Sequence, residues 1–280
     1  MDTEIIKIFN NIFCRARKYL LTKGYEESHI VKENPLGDVS RYFDIKAENI
    51  LIEGLSKEFP DYGIISEEIG EITHDGANHF FIIDPVDGSY NFLRKIGGAG
   101  CSIALLKDSK EDIRNVFIAF VGNYVTGDIF FSQKDCGAYQ NSRKIHCSNV
   151  TEVFDAVAGI DFDFENPVDR KRIFSLLTCL KRVRYIGSAS IDLCNVANSA
   201  YDAYIDYRDD LTPENFCAAQ LIIKESGGIF TNGCGNEITA FSMDERFSII
   251  GSATLELTRS IVRKLLTKIY RDRGSKRNDE

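Results

Sequence analysis

The sequence predicts a mixed α/β fold of two joined lobes, and three observations carry that prediction. An amphipathic helix opens the chain, short apolar runs separated by Asp, Asn and Gly turns follow Gly100, and helices alternate with strands beyond Asp155. At 280 residues the chain has ample length to bury a core, as one large domain or as two lobes. We place the lobes at 1–150 and 151–280, with no shift in composition to mark the join.

Each element has a local reason. From Thr3 to about Leu21, Ile5, Ile6, Ile8, Phe9, Ile12, Phe13, Ala16 and Leu20 recur near the helical period, and Lys23 and Gly24 mark the end. The stretch HIVKENPLGDVSRYF is polar and lacks clean periodicity, so a mobile loop is expected. A second helix runs from Asp44, placed to start it, to Phe59, and Pro60 closes it. YGIISEEIG is a short strand delivering Glu67 and Glu68 at its end. The apolar run Phe80–Ile83 is the next strand, ended abruptly by Asp84 and Pro85. CSIALLK, VFIAFVGN, GDIFFSQ and GAYQNSRKI form an antiparallel meander. Beyond it come helices near 168–182, 190–200, 212–226 and 254–270, interleaved with the strands DAVAGIDF, RVRYIGS, AYIDY, IFTN and FSIIGS. The charged tail after Arg271 is expected to fray.

Composition narrows function. Hydrophobic residues at 44% and charged residues at 27% are ordinary globular values. A net charge of -8 and a pI near 5.2 argue against a nucleic-acid partner, which needs a basic surface, and suit a protein that gathers carboxylates around cations. The eight cysteines and four histidines are scattered without a CxxC pair, so no zinc site is expected. No signal peptide is evident at the N-terminus and no apolar run approaches a membrane span, so a cytoplasmic location without membrane contact is the simplest expectation.

The stretch HFFIIDPVDGSYNF concentrates the chemistry. Asp84 and Asp87, the Val86 carbonyl and the Ser89 hydroxyl fall within six residues, with Pro85 fixing one φ and Gly88 permitting a sharp turn. Hard divalent cations such as Mg²⁺ take oxygen ligands of this kind and leave positions for water and phosphate. A strand-ending turn in which Asp84 caps backbone amides is the alternative. The Glu67–Glu68 strand end beside it suggests one shared acidic pocket.

Four segments in order, GDVSRYFD, SEEIG, IIDPVDGSYNF and GSASIDLC with DAYIDYRDDLTPENFCAAQLIIKESGG, resemble the inositol monophosphatase family, in its archaeal branch of combined fructose-1,6-bisphosphatases and inositol monophosphatases. The resemblance runs from about residue 31 to 252. It implies a layered αβαβα sandwich of the sugar phosphatase type, with a metal-binding N-terminal lobe, a substrate-binding C-terminal lobe, and a homodimer. It implies Mg²⁺ held by Glu67, Asp84, the Val86 carbonyl, Asp87 and the residue at position 215. It implies a water positioned by Glu67, Ser89 and Asp44, with Ser89 standing where threonine is usual. Asp38 and Ser40 match a loop carrying a further metal site. The substrate, a small phosphorylated sugar or inositol, would meet Asp87, Gly88, Ser89, Gly187, Ser188, Ala189, Asp206 and Arg208.

Two departures stand out. Counting back ten residues from Glu225 reaches Asn215, where the family has a metal-ligating aspartate; Glu214, Asp209 or Asp210 could compensate. Lys32 lies near a family lysine but does not align without a gap. The reading that follows is a Mg²⁺-dependent phosphomonoesterase acting on fructose 1,6-bisphosphate or inositol 1-phosphate. The alternatives are a non-catalytic sugar-phosphate-binding relative, a 3'-phosphoadenosine 5'-phosphate phosphatase, and an acidic cluster that serves only as a structural cation site.

Overall fold

The opening amphipathic stretch forms α1 (Thr3–Tyr19), started by Asp2, whose carboxylate accepts from the amides of Glu4 and Ile5. The computed structural model describes residues 2–33, 39–163 and 167–266. The polar stretch expected as a mobile loop instead carries two short antiparallel strands, β1 (Ile30–Glu33) and β2 (Val39–Arg41), on either side of the undescribed 34–38. Asp38 and the expected tail beyond Arg271 lie outside the described residues.

The next helix, α2 (Tyr42–Glu58), begins two residues earlier than expected, so Asp44 sits in its first turn, where it accepts from the Arg41 amide at 3.2 Å. Then come β3 (Gly63–Ser66), β4 (Gly70–Ile72), β5 (His79–Asp87), a short helix α3 (Ser89–Leu93), β6 (Gly100–Lys107), β7 (Val116–Asn123), β8 (Ile129–Gln133), β9 (Ala138–Gln140) and β10 (Arg143–Ile145). They form one eight-stranded sheet in the order β10-β9-β8-β7-β6-β5-β3-β4, antiparallel throughout except for β3 against β5. The meander expected after Gly100 is its larger part.

The second half supplies β11 (Val157–Phe162), α4 (Pro167–Leu177), β12 (Arg182–Arg184), α5 (Ala189–Ala197), β13 (Ala203–Leu211), α6 (Pro213–Glu225), β14 (Ile229–Asn232), β15 (Phe247–Ser252) and α7 (Leu255–Leu266). Its five-stranded sheet runs β12-β11-β13-β15-β14.

Alternating side chains distribute the strands among three cores. Phe81 and Ile83 of β5 join Phe9, Phe13, Phe43, Leu51 and Leu55 of α1 and α2 on one face. Ile82, facing the other way, joins a core built from α5 and α6 and continuing to Phe230 and Ile249 of the smaller sheet. A third core packs Ile173, Leu257 and Ile261 of α4 and α7 on that sheet's outer face. The layers are therefore helices, sheet, helices, sheet, helices, an αβαβα sandwich. Fully burying side chains of this size is worth about 1.5–3 kcal/mol each, so the central α5–α6 layer clamps the two sheets together. All eight cysteines are free thiols. Among the described residues, no helix is long and apolar enough to cross a membrane.

Candidate active site

Asp84 and Asp87, three apart, would point to opposite faces of a regular strand. The β5–β6 register corrects this: Asp84 pairs with Ser102 and Asp87 with Gly100, so β5 carries one extra residue there. This bulge at Pro85–Val86 returns both carboxylates to one side. The Tyr124 hydroxyl fixes it by donating to the Pro85 carbonyl at 2.8 Å, and the Val86 amide donates to Asp84 Oδ1 at 3.0 Å. The strand then ends at Gly88, φ 83°. A Cβ there would stand 2.4 Å from the Gly98 carbonyl oxygen and 3.2 Å from Ser188 Cβ, so glycine is required by both conformation and space.

Glu67 arrives from the turn after β3. The turn is pinned by Glu48 of α2, whose Oε1 accepts from the amides of Glu68 and Ile69, both at 3.1 Å, and from the Ser66 hydroxyl. Glu48 is fully buried, and a lone glutamate inside a helix gave no sign of this role. Glu68, the other acid of the pair, is turned inward: its carboxylate accepts from Ser40, and its backbone carbonyl accepts from Lys32 Nζ at 2.8 Å. Lys32 thus supports the acidic turn.

The second half completes the site. Ser188, expected as a substrate contact or a helix cap, makes no cap hydrogen bond. Its hydroxyl donates to Asp87 Oδ2 at 2.9 Å, and the amide and hydroxyl of Ser190 reach the same oxygen at 2.7 and 2.5 Å. Asn91 ties the two halves together by donating to the carbonyls of Gly98 at 3.0 Å and Ile186 at 2.7 Å. Ser190 and Asn91 were not anticipated, because their partners are remote in sequence.

Asp206 is buried with the Tyr204 hydroxyl and with Arg208, whose Nε lies 3.1 Å from both carboxylate oxygens and whose Nη2 lies 2.5 Å from Oδ2. Arg208, rather than Asp206, lines the cavity. Glu67, Asp87, Gly187, Ala189 and Asn215 line it too, around about 180 Å³. A second guanidinium, Arg246, also lines this space. It precedes β15 and donates to the Asp210 carbonyl at 3.2 Å.

Burial dominates the electrostatics. It raises the carboxyls of Glu67 and Asp84 well above their ordinary range, and each is raised further by neighbouring acids, Asp84 beside Glu67 and Asp87 beside Asp84. Asp87 is raised by burial and held back by the Ser190 and Ser188 donors. Asp44 is pushed up to about 7 by burial against the opposing hydrogen bond from Ser89. Asp206 rises to about 6 by burial, with Arg208 opposing, and Glu214 to about 7 by burial. Arg208 offsets Asp206, whereas the charged neighbours that act on Glu67 and Asp84 are other carboxylates, so this cluster favours an incoming positive charge.

Layered sheets, acids at strand ends and a cavity with guanidinium groups together define a phosphatase-type α/β sandwich. The chain belongs to the inositol monophosphatase family, whose sequence profile matches residues 3–270. It is 31% identical over 253 residues to the fructose-1,6-bisphosphatase/inositol-1-monophosphatase of Methanothermobacter thermautotrophicus, covering 86% of this chain and 89% of that one. It is 29% identical to a bifunctional NADP phosphatase/NAD kinase of Methanococcus maripaludis, over 82% of this chain and 43% of that longer protein. Among solved structures, the extragenic suppressor protein suhB of Bartonella henselae superposes with a TM-score of 0.83 at 25% identity, covering 95% of this chain and 99% of that one. A solved inositol monophosphatase–fructose 1,6-bisphosphatase gives a TM-score of 0.81 at 26% identity, covering 92% and 98%. The chain is accordingly a phosphatase of the inositol monophosphatase and fructose-1,6-bisphosphatase group.

Proposed function

We propose that this phosphatase hydrolyses fructose 1,6-bisphosphate, inositol 1-phosphate or both, with Mg²⁺ at the Glu67, Asp84 and Asp87 carboxylates. The observation that carries this reading is a single cavity with Glu67 and Asp87 beside Arg208 and Arg246. The donor chemistry fits the ion: every group is a hard oxygen, and burial makes each carboxylate more favourable with a cation than without one. Among the described residues, no three His, Cys, Asp or Glu side chains form a ready metal cage. Mg²⁺ needs none, since it takes one or two carboxylates and keeps several waters.

When bound, the ion would supply Lewis-acid charge that offsets the phosphate's own and activates water. The chain's residues do the rest. Ser89 links Asp44 to the Val86 carbonyl and so holds a proton-accepting pair at the end of β5. Gly187 at the α5 start offers backbone to substrate oxygens, Ala189 lines the cavity with its amide turned to Asp87, and Arg208, fixed by Asp206, meets anionic or hydroxyl groups.

The test is phosphate release from fructose 1,6-bisphosphate and inositol 1-phosphate across a Mg²⁺ titration. Turnover of either at an ordinary enzyme rate of about 1 s⁻¹ or more supports the reading. If the folded protein binds sugar phosphates yet releases no phosphate at saturating Mg²⁺, it is a non-catalytic relative. NADP belongs in the same assay, given the named activity of the Methanococcus relative.

A further inference from the structure

Asn215 makes contacts in two directions, and they leave no freedom over which end of its amide faces which way. Its Oδ1 accepts from the Thr212 backbone amide at 3.0 Å and from the Thr212 hydroxyl at 3.1 Å, closing the first turn of α6. A backbone N–H only donates, so the oxygen must face Thr212. The nitrogen then faces the carboxylate cluster, where Nδ2 donates to Asp84 Oδ2 at 2.9 Å. Asp84 Oδ1 is already paired with the Val86 amide. Both oxygens of Asp84 thus have donors supplied by the chain, and the side chain at 215 offers the cluster N–H groups where a ligand oxygen would be needed.

We propose that Asn215 is a hydrogen-bond clamp on Asp84, not a cation ligand, so that the cluster takes up one divalent cation fewer than it would with aspartate at 215. This rests on the reading of Glu67, Asp84 and Asp87 as a divalent-cation site. An aspartate would keep one oxygen on Thr212 and turn the other toward Asp84, adding charge and a ligand oxygen where the NH₂ now stands. It would also repel Asp84 when no cation is present. The clamp competes with any cation for Asp84 Oδ2, so removing it should help the cation bind.

The experiment counts and ranks Mn²⁺ binding by calorimetry on wild type, Asn215→Asp and Asn215→Ala. Asn215→Asp is expected to bind one Mn²⁺ more per chain than wild type. Its melting temperature without metal should be lower than that of wild type, and its gain on adding Mn²⁺ larger. Asn215→Ala, which loses the cap but frees Asp84, is expected to hold Mn²⁺ as tightly as wild type or more tightly. Should Asn215→Asp fail to fold, the alanine variant still decides. A clearly weaker Mn²⁺ affinity in Asn215→Ala would mean that Asn215 ligates the ion and would overturn the clamp. Equal Mn²⁺ counts of one or more in wild type and Asn215→Asp would overturn the clamp alone. No Mn²⁺ bound by any of the three at millimolar concentration would overturn both the clamp and the cation-site reading beneath it.

Discussion

Ser89 Oγ lies 2.8 Å from Asp44 Oδ1 and 2.8 Å from the Val86 carbonyl oxygen. The one hydroxyl proton is shared between the two acceptors, or goes to the Val86 carbonyl while Ser89 Oγ accepts a hydrogen bond from protonated Asp44, whose carboxyl burial has pushed up to about 7. Ser89 therefore couples the α2 acid to the end of β5, and in the proposed reaction this pair would take the proton of the attacking water. Ser89→Ala is expected to lower kcat by about 100-fold while KM stays within about two-fold, the signature of a group working after substrate binds. The stability cost should be about 1 kcal/mol, one hydrogen bond at a half-buried position. Ser89→Thr keeps the hydroxyl and should recover most of the rate. Steady-state kinetics on the three proteins decide the matter, and an unchanged kcat in Ser89→Ala would remove Ser89 from the chemistry.

Much of this site was visible in the order of residues, because its acids cluster at strand ends. Glu67, Asp84 and Asp87 each follow a short apolar run, and such runs become buried strands. Their relations were not visible. The bulge that turns Asp84 and Asp87 to one side depends on register with β6, not on anything within β5. The Ser188 and Ser190 donors to Asp87 cross 101 and 103 residues of sequence, and no periodicity reports a contact of that kind. Counting from Glu225 found position 215, yet the direction of its amide is decided by Thr212. The β1–β2 strands escaped because Pro35 and Gly37 broke a pattern already too short to read.

Asp192 of α5 makes stability depend on pH in an unusual direction. It is 1% exposed, and its oxygens have no hydrogen-bond partner of good geometry. Burial, and then the neighbouring Asp161 and Asp87, push its carboxyl up to about 8, with small relief from the Ser188 backbone and the Tyr201 hydroxyl. The folded state therefore keeps this proton at pH values where the unfolded chain, with an ordinary aspartate, has released it. Its contribution to stability falls as pH rises from about 4 to about 8, and is level beyond that. Asp192→Asn cannot ionise, so its melting temperature should exceed that of wild type by at least about 3 °C at pH 8.5, with the gap narrowing toward pH 5. Parallel melting curves against pH, with a constant gap between the two proteins, would show that Asp192 does not titrate in this window.

Arg246 lines the cavity beside Arg208 and bears on the proposed choice of substrate. It stands opposite an interruption in β13: Asp206 pairs with Ile249 and Leu211 with Phe247, so three extra residues bulge outward between them. Ser248 fixes the bulge by donating to Asp209 Oδ1 at 2.7 Å and accepting from the Asp209 amide at 3.0 Å, and Asp209 accepts a φ of 53° as a result. Arg246 donates to the Asp210 carbonyl, so its guanidinium is held at the same rim as Arg208. Two guanidinium groups at one side of so small a space suit a second phosphate better than a sugar hydroxyl. Arg246→Gln is expected to lower kcat/KM for fructose 1,6-bisphosphate by about 10-fold or more, as loss of one charge-assisted hydrogen bond predicts. For inositol 1-phosphate, with no second phosphate, the change should stay within about two-fold by the same reasoning. Loosening of the bulge would instead penalise both substrates alike. An equal loss on the two would therefore make Arg246 a support for the Asp210 carbonyl, and only an unequal loss makes it a reader of the substrate.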